Sequence, residues 1–65
     1  MKNIEALKTS SFLAGQVLDN LRYAGHEANA IEHLMIMELI EKAAILHRNI
    51  DAMINAVEST EKENR

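Results

Sequence analysis

Apolar residues recur along most of this chain at steps of three and four, the spacing that gathers them on one face of a helix. In the first third, Ile4, Leu7, Ser11, Ala14, Leu18 and Leu21 form one seam, which Phe12, Leu13 and Val17 widen. From Ala30 to Val57 the pattern runs without a glycine, a proline or a break, and Ile36, Leu39, Ala43, Leu46, Ile50, Met53 and Val57 keep the same steps. The pattern predicts an all-α protein: a two-helix antiparallel hairpin with a short first helix and a long second one. The first helix should run from about Asn3 to Tyr23 and the second to about Val57.

The punctuation between the helices supports this division. Tyr23-Ala24-Gly25-His26 reads as the turn, with Gly25 taking the left-handed conformation that ends many helices. Gly15 lies inside an apolar pattern and suits the close approach of a neighbouring helix. Asn3 fits an N-cap, with Glu5 well placed in the first turn. Thr9-Ser10-Ser11 is a soft spot, because hydroxyls there compete with helical hydrogen bonding; residues 1–9 are either the start of the first helix or a separate short one. The second helix starts either at Glu27 or at Asn29, where Glu32 three residues on makes an Asn-x-x-Glu form of the capping box. Glu38–Lys42 and Glu58–Lys62 are helical pairs with the acid on the N-terminal side. Residues 1–58 thus form a single helical-hairpin domain, and 59–65 a charged C-terminal tail that frays.

The second helix carries more apolar surface than the first can cover. Folded back at Gly25, the first helix should reach roughly Leu46, leaving Ile50, Met53, Ile54 and Val57 with nothing of their own chain to pack on. Between Leu34 and Leu46 the polar stripe narrows to Glu38, Glu41 and Lys42, so that stretch needs cover on most of its circumference. Ile36, Leu39, Ala43, Leu46, Ile50, Met53, Ile54 and Val57 are therefore the expected oligomer interface. Pairing of hairpins into a homo-oligomeric helical bundle, dimer or larger, would satisfy them.

Composition narrows the classes. Sixty-five residues allow one domain with a small core, of marginal stability without a staple or a second chain. The chain has no cysteine, which closes the disulfide route and thiolate zinc sites. Hydrophobic residues make up 48%, mostly Ala, Leu, Ile and Met, with no proline and two glycines. A net charge of −3 argues against a large nucleic-acid footprint, which shows as a basic face. The opening Met1-Lys2-Asn3-Ile4-Glu5 lacks the apolar core of a signal peptide, and no stretch nears the roughly 20 apolar residues that span a bilayer. A cytoplasmic protein with no membrane association is expected.

Candidate chemistry is sparse. His26, His33 and His47 invite a metal, but His33 and His47 stand about 20 Å apart along one helix and cannot meet within a chain. Antiparallel pairing of two chains would be needed to bring His33 near His47 of the other copy, with Glu32 or Asp51 adding oxygen ligands. The Glu-x-x-His pairs of di-iron bundles are missing, so no metal and no cofactor are expected. No spacing holds Ser10 or Ser11 against a base, and two helices offer little concave surface, so no enzymatic activity is expected. Arg22, Tyr23 and His26 crowd the turn, with Lys42 and Arg48 further on. In an oligomer these five could line a pocket for a small anionic ligand, Arg forking a phosphate and Tyr stacking on a base. The plainer account of Arg22 is a solvated helix-end cation paired with Asp19. Met35, Met37 and Met53 are either an adaptable binding groove or core filling.

In length and hairpin layout, and in no motif, the chain resembles the plasmid-encoded Rop family of dimeric RNA-binding helical hairpins. Its turn glycine divides it unequally where that family's helices are nearly equal, so the resemblance assigns no residues. Small phage proteins that sequester signalling nucleotides, or that block host defence enzymes, share this size class. The expected function is a non-enzymatic regulatory or inhibitory module that presents a helical surface to a protein target. The alternative is an oligomeric sponge holding a nucleotide-like molecule between subunits; RNA binding along the bundle comes third.

Overall fold

The computed structural model describes residues 3–63. Helix α1 spans Ile4–Gly25 and helix α2 spans Ala30–Glu63, with no strand among the described residues. They lie side by side as an antiparallel hairpin whose Cα atoms extend 54 × 14 × 12 Å. α1 is continuous through Thr9-Ser10-Ser11, the Ser10 hydroxyl turning back to donate to the Ala6 carbonyl at 2.8 Å. Asn3 occupies the N-cap position of α1, although its side chain makes no capping bond. α2 continues past the expected end near Val57 to Glu63, so residues 59–63 of the expected tail are helical. The Glu38–Lys42 pair forms at 3.4 Å, whereas Glu58–Lys62 involves a side chain outside the described ones.

The turn differs from the expectation in one respect. Gly25 is the last residue of α1, and no described residue has a positive φ. His26 follows at φ −67° and ψ −27°, still right-handed. The chain tightens instead: the His26 N–H donates to the Tyr23 carbonyl at 3.1 Å and the Glu27 N–H to the Ala24 carbonyl at 3.4 Å. These three-residue bonds satisfy carbonyls that a left-handed glycine would otherwise cap. Three residues on, the capping box forms reciprocally. The Glu32 N–H donates to Asn29 Oδ1 at 2.9 Å and the Asn29 N–H to Glu32 Oε1 at 3.1 Å, which fixes the start of α2 at Ala30.

The helices meet along two matching seams. On α1 the side turned to α2 is Ile4, Leu7, Ser11, Ala14, Leu18, Leu21 and Gly25, all buried or half-buried and all at steps of three and four. On α2 it is Ile36, Ile40, Ala43, His47, Ile50, Ile54 and Val57. Ser11 meets Asp51, Gly15 faces His47 and Gly25 faces Ile36, so each step along α1 is matched by a step back along α2 and Ile4 comes level with about Val57. The expected reach to Leu46 is therefore too short. The last turn of α1 meets the start of α2 at His33, whose Nδ1 lies 3.3 Å from the Gly25 carbonyl oxygen, and the continuous apolar seam begins at Ile36. Ile54 is buried at 9% exposure and Ile50 and Val57 are half-buried within the single chain, so these three do not overhang.

Of the eight residues expected at an oligomer interface, Ile36, Ala43, Ile50, Ile54 and Val57 instead face α1 within the chain. Leu39, Leu46 and Met53 are exposed at 50, 56 and 47%, and the neighbouring Ile40, His47 and Ile54 face α1 instead. Both choices keep helical spacing, because α2 is apolar on two adjacent stripes and α1 covers only one. Among the described residues only Ala14, Leu18, Ala43 and Ile54 are buried.

Gly15 gives a direct test of the packing. A Cβ there would lie 3.5 Å from His47 Nε2 and 3.9 Å from its Cδ2, ordinary contact distances. Glycine in mid-helix costs about 0.5–1 kcal/mol relative to alanine. Gly15→Ala should raise the melting temperature by an amount matching that gain, read by circular dichroism; a fall would show that the His47 ring sits closer than the fold requires.

Candidate interaction surface

With the seams occupied, helical spacing sorts the remaining residues onto two flanks. Ala24 of α1 lines a shallow groove of about 410 Å³ near the turn with Met35 and Leu39 of α2. Arg22 lines a second groove of about 310 Å³ with His26, His33, Met37 and Ile40. Followed back from Ala24 at steps of three and four, the first flank carries Asn20, Val17, Leu13, Ser10 and Ala6 of α1, all exposed. From Leu39 it continues through Lys42, Leu46, Asn49 and Met53 of α2, also exposed. Its large apolar members include Leu13, Val17, Leu39, Leu46 and Met53, each 47–56% exposed, and Met35 at 63%. The second flank is mixed. It bears Lys8 and Arg22, paired at 3.9 Å with Glu5 and at 3.8 Å with Asp19, together with Phe12, Met37 and Arg48.

The five candidate ligand residues do not converge within one chain. Arg22 and His26 share the smaller groove, and His33 joins them with Nδ1 3.3 Å from the Gly25 carbonyl oxygen, the contact of an Nδ1–H donor. Tyr23 stands 73% exposed. Lys42 lies on the first flank, held by Glu38. Arg48 is about 12 Å further along α2 than Ile40 in the groove. Arg22 has the expected Asp19 neighbour.

One polar cluster was not anticipated from the sequence. The Ser11 hydroxyl donates to Asp51 Oδ1, and His47 Nε2 lies 3.6 Å from the other carboxylate oxygen. The order is hydroxyl, carboxylate, imidazole. Activating a serine needs the imidazole against the hydroxyl, so this order does not make a nucleophile. What it does is favour one alignment of the helices, since a slip by one turn would part Ser11 from Asp51 and forfeit the hydrogen bond between them. The signal available in the sequence was Ser11 itself, a hydroxyl inside an apolar seam. Asp51→Ala should cost about 1–2 kcal/mol by denaturant unfolding, and Ser11→Ala with Asp51→Ala less than the two single changes summed, because the double variant leaves no orphaned group. Strict additivity would show that the pair does not interact.

Among the described residues no three His, Cys, Asp or Glu side chains gather as a metal site, and no helix is long and apolar enough to cross a membrane. Compared with protein-family models, with curated proteins and with solved structures, the chain matches none.

Proposed function

We propose that this protein is a non-enzymatic regulatory or inhibitory interaction module, working in the cytoplasm as a homo-oligomeric helical bundle that binds a protein target. The observation behind it is the apolar flank. Leu13, Val17, Leu39, Leu46 and Met53 remain about half exposed, while among the described residues only four side chains are buried. Full burial of such a side chain contributes roughly 1.5–3 kcal/mol relative to exposure, and a lone hairpin of this size has only a few kcal/mol in all. Covering this flank therefore decides whether the chain folds. The two aromatic residues of the sequence, Phe12 and Tyr23, are 65 and 73% exposed and lie off that flank, where rings of this kind serve as anchors for a second protein.

Sedimentation equilibrium combined with thermal melting tests the assembly. A dimer or larger species is expected, with a melting temperature that rises with protein concentration. A compact monomer whose melting is independent of concentration would overturn it.

The Arg22, His26 and His33 groove favours one alternative, a sponge that holds a small anion between subunits. Calorimetry with mononucleotides, cyclic dinucleotides and ADP-ribose derivatives separates the two. Salt-dependent heats would support the sponge, and no heat would leave the protein target.

A further inference from the structure

The exposed apolar flank has an internal symmetry. Along α1 it runs Ala6, Ser10, Leu13, Val17, Asn20, Ala24: small, polar, aliphatic, aliphatic, polar, small. The order is the same in both directions, with its centre level with Gly15. Along α2 the row runs Met35, Leu39, Lys42, Leu46, Asn49, Met53 and Ala56, and within its central part Leu39 and Met53 stand equally far from Leu46, with Lys42 and Asn49 between them. The centre there is Leu46. Gly15 packs against His47, so the two centres fall at the same level of the hairpin. Two rows on different helices thus share one axis.

We propose that this flank docks on the same flank of a second copy about a twofold axis level with Gly15 and Leu46, α1 running antiparallel to α1 and α2 to α2. The proposal rests on the homo-oligomeric bundle above and gives it an arrangement. In an isologous contact residue i meets j while j meets i, which the α1 row and the central part of the α2 row, from Leu39 to Met53, provide. Leu46 then meets Leu46, Leu39 meets Met53, Leu13 meets Val17, and Ser10 meets Asn20. Charge selects the same arrangement. A parallel pairing of α2 sets Lys42 against its own copy, whereas the antiparallel one sets it beside Asn49. The size also fits: a face whose Cα atoms extend 54 by 14 Å can bury on the order of 800 Å² per chain, the area of a standard stable interface. A chain with so few buried side chains needs its cover whenever it is folded, and a second copy is always at hand, unlike a regulated target.

The chain has no cysteine, so single cysteines report geometry without background. Under mild oxidation Leu46→Cys should form a disulfide-linked dimer, because a disulfide needs Cα atoms about 4.4–6.8 Å apart. Leu39→Cys and Met53→Cys should each fail to link to themselves and should link to one another when mixed. Spin labels at the same sites provide a second readout that needs no bond: the pair at 46 should be close, and the pairs at 39 and at 53 each offset by about 21 Å along the axis. Self-linking at 39 and 53 as complete as at 46, or equal short distances at all three, would mean a parallel pairing. Leu46→Cys linking to Val17→Cys in place of itself would mean that α1 packs across α2. Either result overturns the twofold arrangement while the bundle stands. A monomeric wild type in sedimentation would overturn both.

Discussion

Ile54→Asp is expected to leave the chain unfolded, with the far-ultraviolet circular dichroism of a coil at any practical concentration. Ile54 is buried at 9% exposure and faces the first half of α1, level with about Leu7. The change removes roughly 1.5–3 kcal/mol of apolar burial. It also places a carboxylate in the seam, where Lys8, level with it on α1, is half exposed and already lies 3.9 Å from Glu5, and a poorly paired buried charge costs more again. Together these exceed the few kcal/mol that so small a hairpin holds. Raising the protein concentration should not rescue helicity, because the damage lies inside one chain. Helicity recovered at high concentration would place Ile54 between chains instead.

Leu46→Asp is expected to act on assembly. Leu46 is 56% exposed in the single chain, so an aspartate there costs the hairpin itself far less than one at Ile54. On the proposed axis, however, two copies would oppose their carboxylates directly, and like charges in an excluded interface cost several kcal/mol. Sedimentation should show monomer, and melting should fall far below that of the wild type and lose its dependence on concentration. Ile45→Asp is the control: Ile45, 46% exposed, lies on the side of α2 turned away from α1 and off the proposed interface, and its replacement should leave the oligomer intact. Dissociation by Ile45→Asp and not by Leu46→Asp would move the interface to the outer face of α2.

The contrast between these two variants shows what could be read in the chain. The α1 seam was legible residue by residue because the helix carries one continuous apolar stripe at that spacing. The Asn29–Glu32 box was legible because its chemistry is local. The seam of α2 was ambiguous, since Leu39, Leu46 and Met53 satisfy the same spacing as Ile40, His47 and Ile54. Periodicity cannot choose between adjacent apolar stripes. The choice is made by register, which depends on where pairing begins beyond the turn and on Ser11 finding Asp51 across forty residues. The same missing register placed Ile50, Ile54 and Val57 beyond α1. Charged residues near the turn gave no comparable help, because cations on a surface look alike whether they bind a ligand or water.

The strict alternation of three and four along both seams also sets the shape of the whole rod. An untwisted helix drifts by about 20° for every seven residues, so over three such repeats a straight stripe would wander about 60° around its axis. Helices that keep their seams in contact from Ile4 to Gly25 and from Ile36 to Val57 must wind around each other with a left-handed twist. The outer flanks wind with them, which lets a second hairpin follow the first along its length. Length can then be changed only in whole repeats. Seven residues added to each helix at matching levels would extend the rod and preserve its faces, whereas four would rotate everything beyond the insertion by roughly 40° and turn Leu46 and its neighbours out of line.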